Sequence, residues 1–313
     1  MLVGGEASRL RPLTDLTPKP MLPLLGRPLL EYAFDRLRAS GVERAVLACG
    51  YSAETIKAHF GHAVDGLTIE YRVEPAALGT GGAIKFASEG IGQTFLALNG
   101  DSLTDADLRR LVEFHGSRKA KATILLTRVS DPTGFGLVRI DRRGRVRAFI
   151  EKPLAGAVDT DLINAGVYVL EQDVLELIPF GETVSIESDV FPMLSSEGAL
   201  YALALPGHWL DIGTPARYLQ ANIDLLRQHG RDQIEPSAEI SSEAQLIAPV
   251  VIDADARVEH GACVGPGVYV GNGAVVGAGA IVSWSVILPG ARVFAGSNVA
   301  RAIAAPGIGL VPA

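Results

Sequence analysis

From Ile240 onward the chain repeats every six residues. Ile240, Leu246, Ile252, Val258, Val264, Val270, Val276, Val282 and Leu288 are all aliphatic, and Ala256, Ala262, Ala274 and Ala280 stand two places before four of them. After the stretch Trp284 to Pro289 the phase slips by one residue, to Val293 and Val299. A period of six matches neither the 3.6 of a helix nor the 2 of a strand. It is the period of a parallel β-helix with small residues at its corners, so residues 234–305 are expected to wind through about four coils of three hexads each.

The first two thirds follow a different rhythm. Helical and strand patterns alternate: Leu29 to Ser40 reads as helix, Arg44 to Cys49 as strand, Ala53 to Phe60 as helix and Leu67 to Arg72 as strand. Gly81 to Glu89 and Ala106 to Arg118 then read as helices, Thr94 to Leu98 and Ala122 to Val129 as strands. Such alternation predicts an α/β, Rossmann-like domain with a mostly parallel sheet, which binds ligands at the carboxyl ends of its strands. Three polar turns fall at those ends: Gly4-Gly5, Gly79-Thr80-Gly81-Gly82 and Asn99-Gly100-Asp101. Further strands at Gly136 to Ile140, Val146 to Ile150, Ile163 to Leu170 and Leu200 to Leu205 are expected to add a partly antiparallel layer walling a substrate pocket. A helix over Pro215 to Arg227 and a linker over Gln228 to Pro236 divide the chain into domains 1–230 and 231–313, a number that suits 313 residues.

The opening stretch looks built for an anion. Glycines let backbone N–H groups approach phosphate, Arg9 offers a planar fork, and Lys19 is a point charge stiffened between Pro18 and Pro20. A Gly-Gly turn after a strand is also ordinary punctuation. The net charge of −7 and pI of 5.4 argue against a general nucleic-acid binder, so any anion site is local. Cys49 and Cys263 stand far apart without a ligand-type cluster, which indicates neither a disulfide framework nor zinc. No run of 18 apolar residues and no signal peptide are apparent, so the chain is expected to be soluble and cytoplasmic.

With these residues in view, the chain resembles the sugar-1-phosphate nucleotidylyltransferases. The opening stretch resembles the family signature G-G-x-G-T-R-L-x-P-L-T followed by P-K-P-M-L, and Leu78 to Ala83 its second glycine loop. Asn99-Gly100-Asp101, Glu151-Lys152-Pro153, Asn164 to Tyr168 and Trp209 to Thr214 resemble four further motifs in the family's order. The resemblance implies transfer of a nucleotidyl group from a nucleoside triphosphate to a sugar 1-phosphate, releasing pyrophosphate. The substrate brings its own nucleophile, so the protein supplies cations and positioning. By position, Gly4, Gly5, Gly79, Thr80 and Gly81 would approach the nucleotide, Arg9 the departing pyrophosphate, and Lys19 the attacked phosphate. Asp101 and Asp211 would hold Mg²⁺, while Gly134, Phe135, Glu151, Lys152 and Asn164 would serve the sugar phosphate. On their residue types alone, an Asp after Asn-Gly is a common turn residue and a Glu-Lys pair is commonly solvated surface.

Glu74 stands where thymidylyl- and uridylyltransferases of the family carry a base-reading Gln. A carboxylate accepts two hydrogen bonds at once, which suits the N1–H and N2–H₂ of guanine rather than the single N–H of thymine or uracil. This implies GTP, and on family grounds mannose 1-phosphate. Thymidylyl or uridylyl transfer, a heptose or glucose 1-phosphate, and a non-catalytic nucleotide-sugar-binding homologue are the alternatives. A left-handed β-helix also carries acyltransferase sites elsewhere, but the only His in this tail is His260, so packing and homo-oligomer assembly are expected instead. Two features depart from the family pattern. Ala7 replaces a glycine, which is strained if its φ is positive, and only Met1 to Val3 precede the glycines where a parallel strand runs about 5 to 6 residues. The first strand is therefore expected to be truncated, or the true start to lie upstream.

Overall fold

The computed structural model describes residues 1–5, 7–151, 158–229 and 232–313. Contacts divide it into two compact units, one of Met1–Gly5 with Tyr32–Trp209 and one of Glu6–Glu31 with Leu210–Ala313. The sequence drew a single boundary at residue 230. By contacts, the second unit takes in the chain from residue 6 to residue 31 and the helix over Pro215–His229 together with the β-helix.

In the first unit, β1 (Arg44–Cys49) pairs in parallel with β2 (Leu67–Val73). β1 is an apolar run buried at its centre and end, as expected of a strand covered on both faces. β3 (Phe95–Leu98) is joined to β1 by the chain's first residues. Leu2 donates to Leu98 O at 2.8 Å, Val3 donates to Ala48 O at 2.9 Å, and Ala48 donates to Met1 O at 2.8 Å. Three residues thus act as the central rung between two sheets. β1 and β3 wall a cavity of about 480 Å³ lined by Leu2, Arg44 to Val46 and Thr94 to Leu98.

The strands after residue 120 form one sheet with β3 and not a separate layer. β4 (Ala122–Arg128), β5 (Leu137–Ile140), β6 (Val146–Ile150), β7 (Leu162–Leu170) and β8 (Leu200–Ala204) stand in the order β6-β5-β7-β4-β8, with β3 also pairing β7. β7 runs antiparallel to β3, β4 and β5, whereas β8 is parallel to β4. The expected added layer is corrected: β7 is inserted in the sheet because eight of its nine residues are apolar or glycine, a pattern that suits burial on both faces. The core of this unit gathers around Ile124, Leu126, Tyr168, Leu170, Phe191 and Leu200.

Helices cover these strands where their apolar spacing requires it. α1 (Leu29–Ala39) places Leu30, Phe34 and Leu37 on one buried stripe. α2 (Ala53–Phe60) buries Ala53, Ile56 and Phe60. α3 (Gly79–Ala87) starts two residues earlier than its sequence pattern. α4 (Leu108–Arg118) begins at Asp107, whose carboxylate accepts from Arg109 N at 3.1 Å. α5 (Phe191–Glu197) packs Phe191 and Leu194 into the core.

The second unit contains the short 3₁₀ turns Ser8–Leu10, Leu13–Asp15 and Lys19–Met21, a hairpin of Pro23–Leu24 with Arg27–Pro28, α6 (Pro215–His229) and the β-helix. Parallel rungs stack on three faces, for example Val250 on Val268, Val258 on Val276 and Val264 on Val282. Gln233–Ile234 already pairs with Val251 and Ile252, so the expected linker is cut short. The phase slip also lies earlier than the sequence placed it. Ile287, not Leu288, stacks on Val270, because one residue is lost at the Trp284 corner. Trp284 takes φ 47° there, and its ring lies so close to Gly267 that a Cβ on that glycine would be 2.2 Å away. The coils end at an antiparallel strand, Gly309–Pro312 on Ala302–Ala305. No helix among the described residues is long and apolar enough to cross a membrane.

Candidate active site

The first unit gathers the turns expected from sequence to meet the nucleotide at the carboxyl ends of its strands. Gly4 has no room for a side chain: a Cβ there would lie 2.9 Å from Gly50 N and 3.1 Å from Glu74 Oε1. Gly100 donates to Leu2 O at 2.8 Å, and a Cβ on it would meet Val3 at 2.6 Å. The turns carrying Gly4, Glu74 and Asp101 are thereby packed side by side. Glu74 closes this edge with its Oε2 accepting from Leu78 N at 3.3 Å. Burial raises its carboxyl above the ordinary carboxylate range, and the Leu78 N–H opposes that rise. Gly5 stands open beside it, with nothing within 4 Å of a Cβ position.

The second glycine loop is engaged otherwise than its motif implies. Gly81 and Gly82 give their N–H groups to Val184 O, at 2.8 and 3.3 Å. Gly79 sits at φ 70° with its Cβ position 2.5 Å from the same carbonyl, and Gly82 comes equally close to Glu182 O. The glycines are required by this segment's close approach. Thr80 donates to Glu187 Oε2 at 2.5 Å and accepts from Ile186 N at 2.9 Å.

The sugar-side residues of the sequence form one cluster around a bulge in β7. Asn164 N donates to Gly136 O at 2.9 Å, and a Cβ on Gly136 would meet Glu151 Oε2 at 2.8 Å. Phe135 packs edge-on against Trp209, ring centres 5.2 Å apart, and the Trp209 indole N–H donates to Ala165 O at 3.0 Å. Gly134, at φ 88°, starts this segment. Asn99 N donates to Gly166 O at 2.8 Å, which docks the Asp101 turn against the same bulge. Asp101 itself is exposed, and Lys152 lies outside the described residues.

The second unit carries the cations and the other carboxylate. Lys19 is almost fully buried, at 8% exposure, inside the Lys19–Met21 turn. Ala7 adopts φ 47°, ψ 41° where the family pattern has glycine. Asp211 bonds to Arg217, and a Cβ on Gly213 would lie 3.1 Å from Asp211 Oδ1 and 3.4 Å from Arg9 Nη2. Arg9 and Asp211 therefore flank one point of backbone. The hairpin behind Lys19 is fixed by α6: Leu25 N donates to the buried Asn222 Oδ1 at 3.1 Å, and Tyr218 donates to Pro23 O. Trp209, Arg217 and Glu187 contact residues assigned to the site from sequence but were given no role there. Trp209 alone carried a signal, as an aromatic residue inside a recognised motif.

A mixed sheet with glycine turns and carboxylates at its strand ends is the equipment of phosphate-ester chemistry. The family model described as nucleotidyl transferase matches residues 1–228, and one described as GMPPB C-terminal domain matches residues 246–309. The chain belongs to the nucleotidyl transferase family. It is 40% identical over 275 residues to a mannose-1-phosphate guanylyltransferase of Mycobacterium tuberculosis, across 83% of this chain and 76% of that protein. Mannose-1-phosphate guanylyltransferase 1 of Arabidopsis thaliana is 34% identical over 271 residues, across 83% and 73%. Among solved structures, HddC from Yersinia pseudotuberculosis complexed with GMP-PN is similar at TM-score 0.61 and 29% identity, covering 72% of this chain and 97% of that one.

Proposed function

We propose that this chain transfers the guanylyl group of GTP to mannose 1-phosphate, forming GDP-mannose and pyrophosphate. The observation that carries the guanine reading is Glu74, a carboxylate held at the strand edge beside Gly4 with two acceptor oxygens for the base's N1–H and N2–H₂. Its relatives named as mannose-1-phosphate guanylyltransferases support the same base and supply the sugar.

In this reading the sugar phosphate oxygen attacks the α-phosphorus in line with the departing pyrophosphate. Arg9 holds the leaving group by a bidentate fork, and Lys19, fixed by its burial, offsets charge at the attacked phosphate. Glu151 and Asn164 bind sugar hydroxyls, Phe135 packs against the ring, and Lys152 pairs with the sugar's phosphate. Asp101 and Asp211 are the carboxylates we assign to Mg²⁺. The donor chemistry fits a hard ion, since both are oxygen ligands and Asn99 Oδ1, beside Asp101 in sequence, is a buried acceptor without a partner among the described residues. When bound, the ion neutralises phosphate oxygens. The stacked faces of the β-helix, with Ile281 and Phe294 exposed, are the surface we assign to self-association, and the substrates, being soluble anions, keep the reading cytoplasmic.

A panel of GTP, TTP, UTP and ATP against mannose, glucose and heptose 1-phosphates, followed by pyrophosphate release, tests the reading. GTP with mannose 1-phosphate is expected to lead by tenfold or more, and Asp101→Ala is expected to abolish release. A preference for TTP or UTP overturns the base assignment, and undiminished release from Asp101→Ala overturns the metal assignment.

A further inference from the structure

Glu187 has no place in the motifs, yet it joins the two substrate sides of the first unit. Its Oε2 accepts from Thr80 Oγ1 at 2.5 Å and from Ser185 Oγ at 3.0 Å, and its Oε1 accepts from the Tyr168 hydroxyl at 3.0 Å. Tyr168 is fully buried, with its ring against Phe191 at 5.1 Å. A phenol has one proton, and giving it to Glu187 leaves the oxygen to accept from Asn164 Nδ2 at 2.8 Å. The other end of that amide is equally committed, since Asn164 Oδ1 accepts from Gly166 N at 2.9 Å. The direction of every bond along this chain is therefore set by the carboxylate, which accepts and never donates when ionised.

We propose that Glu187 is a positioning residue for the sugar phosphate: through Tyr168 it fixes the orientation of the Asn164 amide, and through Thr80 it ties that amide to the glycine turn of the nucleotide side. The proposal rests on the functional reading of Asn164 as a sugar ligand. A carboxylate at position 187 that served folding alone would stitch the segment 184–187 to α3 and leave substrate affinities untouched. Burial, and then the Glu187 charge, hold the Tyr168 phenol well above its ordinary pKa, so the hydroxyl remains a donor across the working pH range.

The test is steady-state kinetics on the full chain with Tyr168→Phe, Glu187→Gln and the double variant, each first checked for native near-UV circular dichroism. Tyr168→Phe removes one oxygen and keeps the packed ring. It is expected to raise KM for mannose 1-phosphate at least fivefold while KM for GTP stays within twofold. Glu187→Gln is expected to raise the sugar-phosphate KM at least as much, and the double variant to add little, because both act through one bond chain. If Glu187→Gln does not fold, Tyr168→Phe decides alone. Unmoved sugar-phosphate KM in the folded variants, or equal changes for both substrates, overturns the proposal. Calorimetric titration of the wild type with mannose 1-phosphate separates the two layers. Wild-type binding with unmoved variant KM defeats this inference only, whereas no binding of any sugar 1-phosphate in the panel defeats it together with the functional reading.

Discussion

Ala7 carries a Cβ through φ 47°, ψ 41°, a region that glycine enters without cost. The substitution Ala7→Gly is expected to stabilise the chain by about 1 kcal/mol, read from the urea midpoint, since relief of the left-handed strain exceeds the added unfolded-state entropy. The strain was legible as a condition from the family pattern, but its sign waited for the backbone angle. Glu74 and Asp101 are assigned from their place in the family's motifs, and the structure sets them just beyond the ends of β2 and β3. Glu187 was not legible. Its neighbours Ser185, Ile186 and Ser188 show no pattern that singles it out, and its partners Thr80 and Tyr168 are 107 and 19 residues away.

The glycine loop that opens α3 shows how an element's motif and its packing diverge. Gly79, Thr80 and Gly81 are expected from sequence to approach the nucleotide, and the N–H groups of Gly81 and Gly82 are given to Val184 O. Gly79→Ala is expected to cost about 2 kcal/mol or more in chemical denaturation, because its Cβ would stand 2.5 Å from that carbonyl at a φ of 70°. A smaller loss would show that the segment 182–186 yields easily. The β-helix was the most legible element. A six-residue period repeats the same local burial at every coil, so one residue type in phase identifies each rung. Its slip was misplaced by a residue because Ile287 and Leu288 are equally aliphatic, and only the corner at Trp284 decides which one faces inward.

At the scale of the molecule, the first unit depends on three residues that join its two sheets. The Met1 amine is buried and donates to Val46 O at 2.7 Å, and burial lowers its pKa from 8.0 to about 6. Between those values the unfolded chain binds a proton that the folded chain does not, so stability rises with pH across the window from 6 to 8. The chain starting at Met1 is expected to lose up to about 3 kcal/mol on acidification from pH 8 to pH 6, measured by denaturant midpoints, and N-terminal acetylation is expected to flatten that slope. A midpoint independent of pH over this interval would show that the amine reaches solvent when charged.

The sequence by itself determined the two architectures and the order of the motifs, because hydrophobic period and turn residues act locally and repeat. Only the tertiary structure decided that β7 is inserted in the sheet between β3 and β4, that the opening cationic stretch groups with the β-helix, and that Glu187 speaks to Asn164 through Tyr168. Those outcomes depend on which strands pair across long separations and which buried hydroxyl finds which carboxylate. A one-dimensional pattern of polarity leaves many such pairings equally apolar, and packing selects among them.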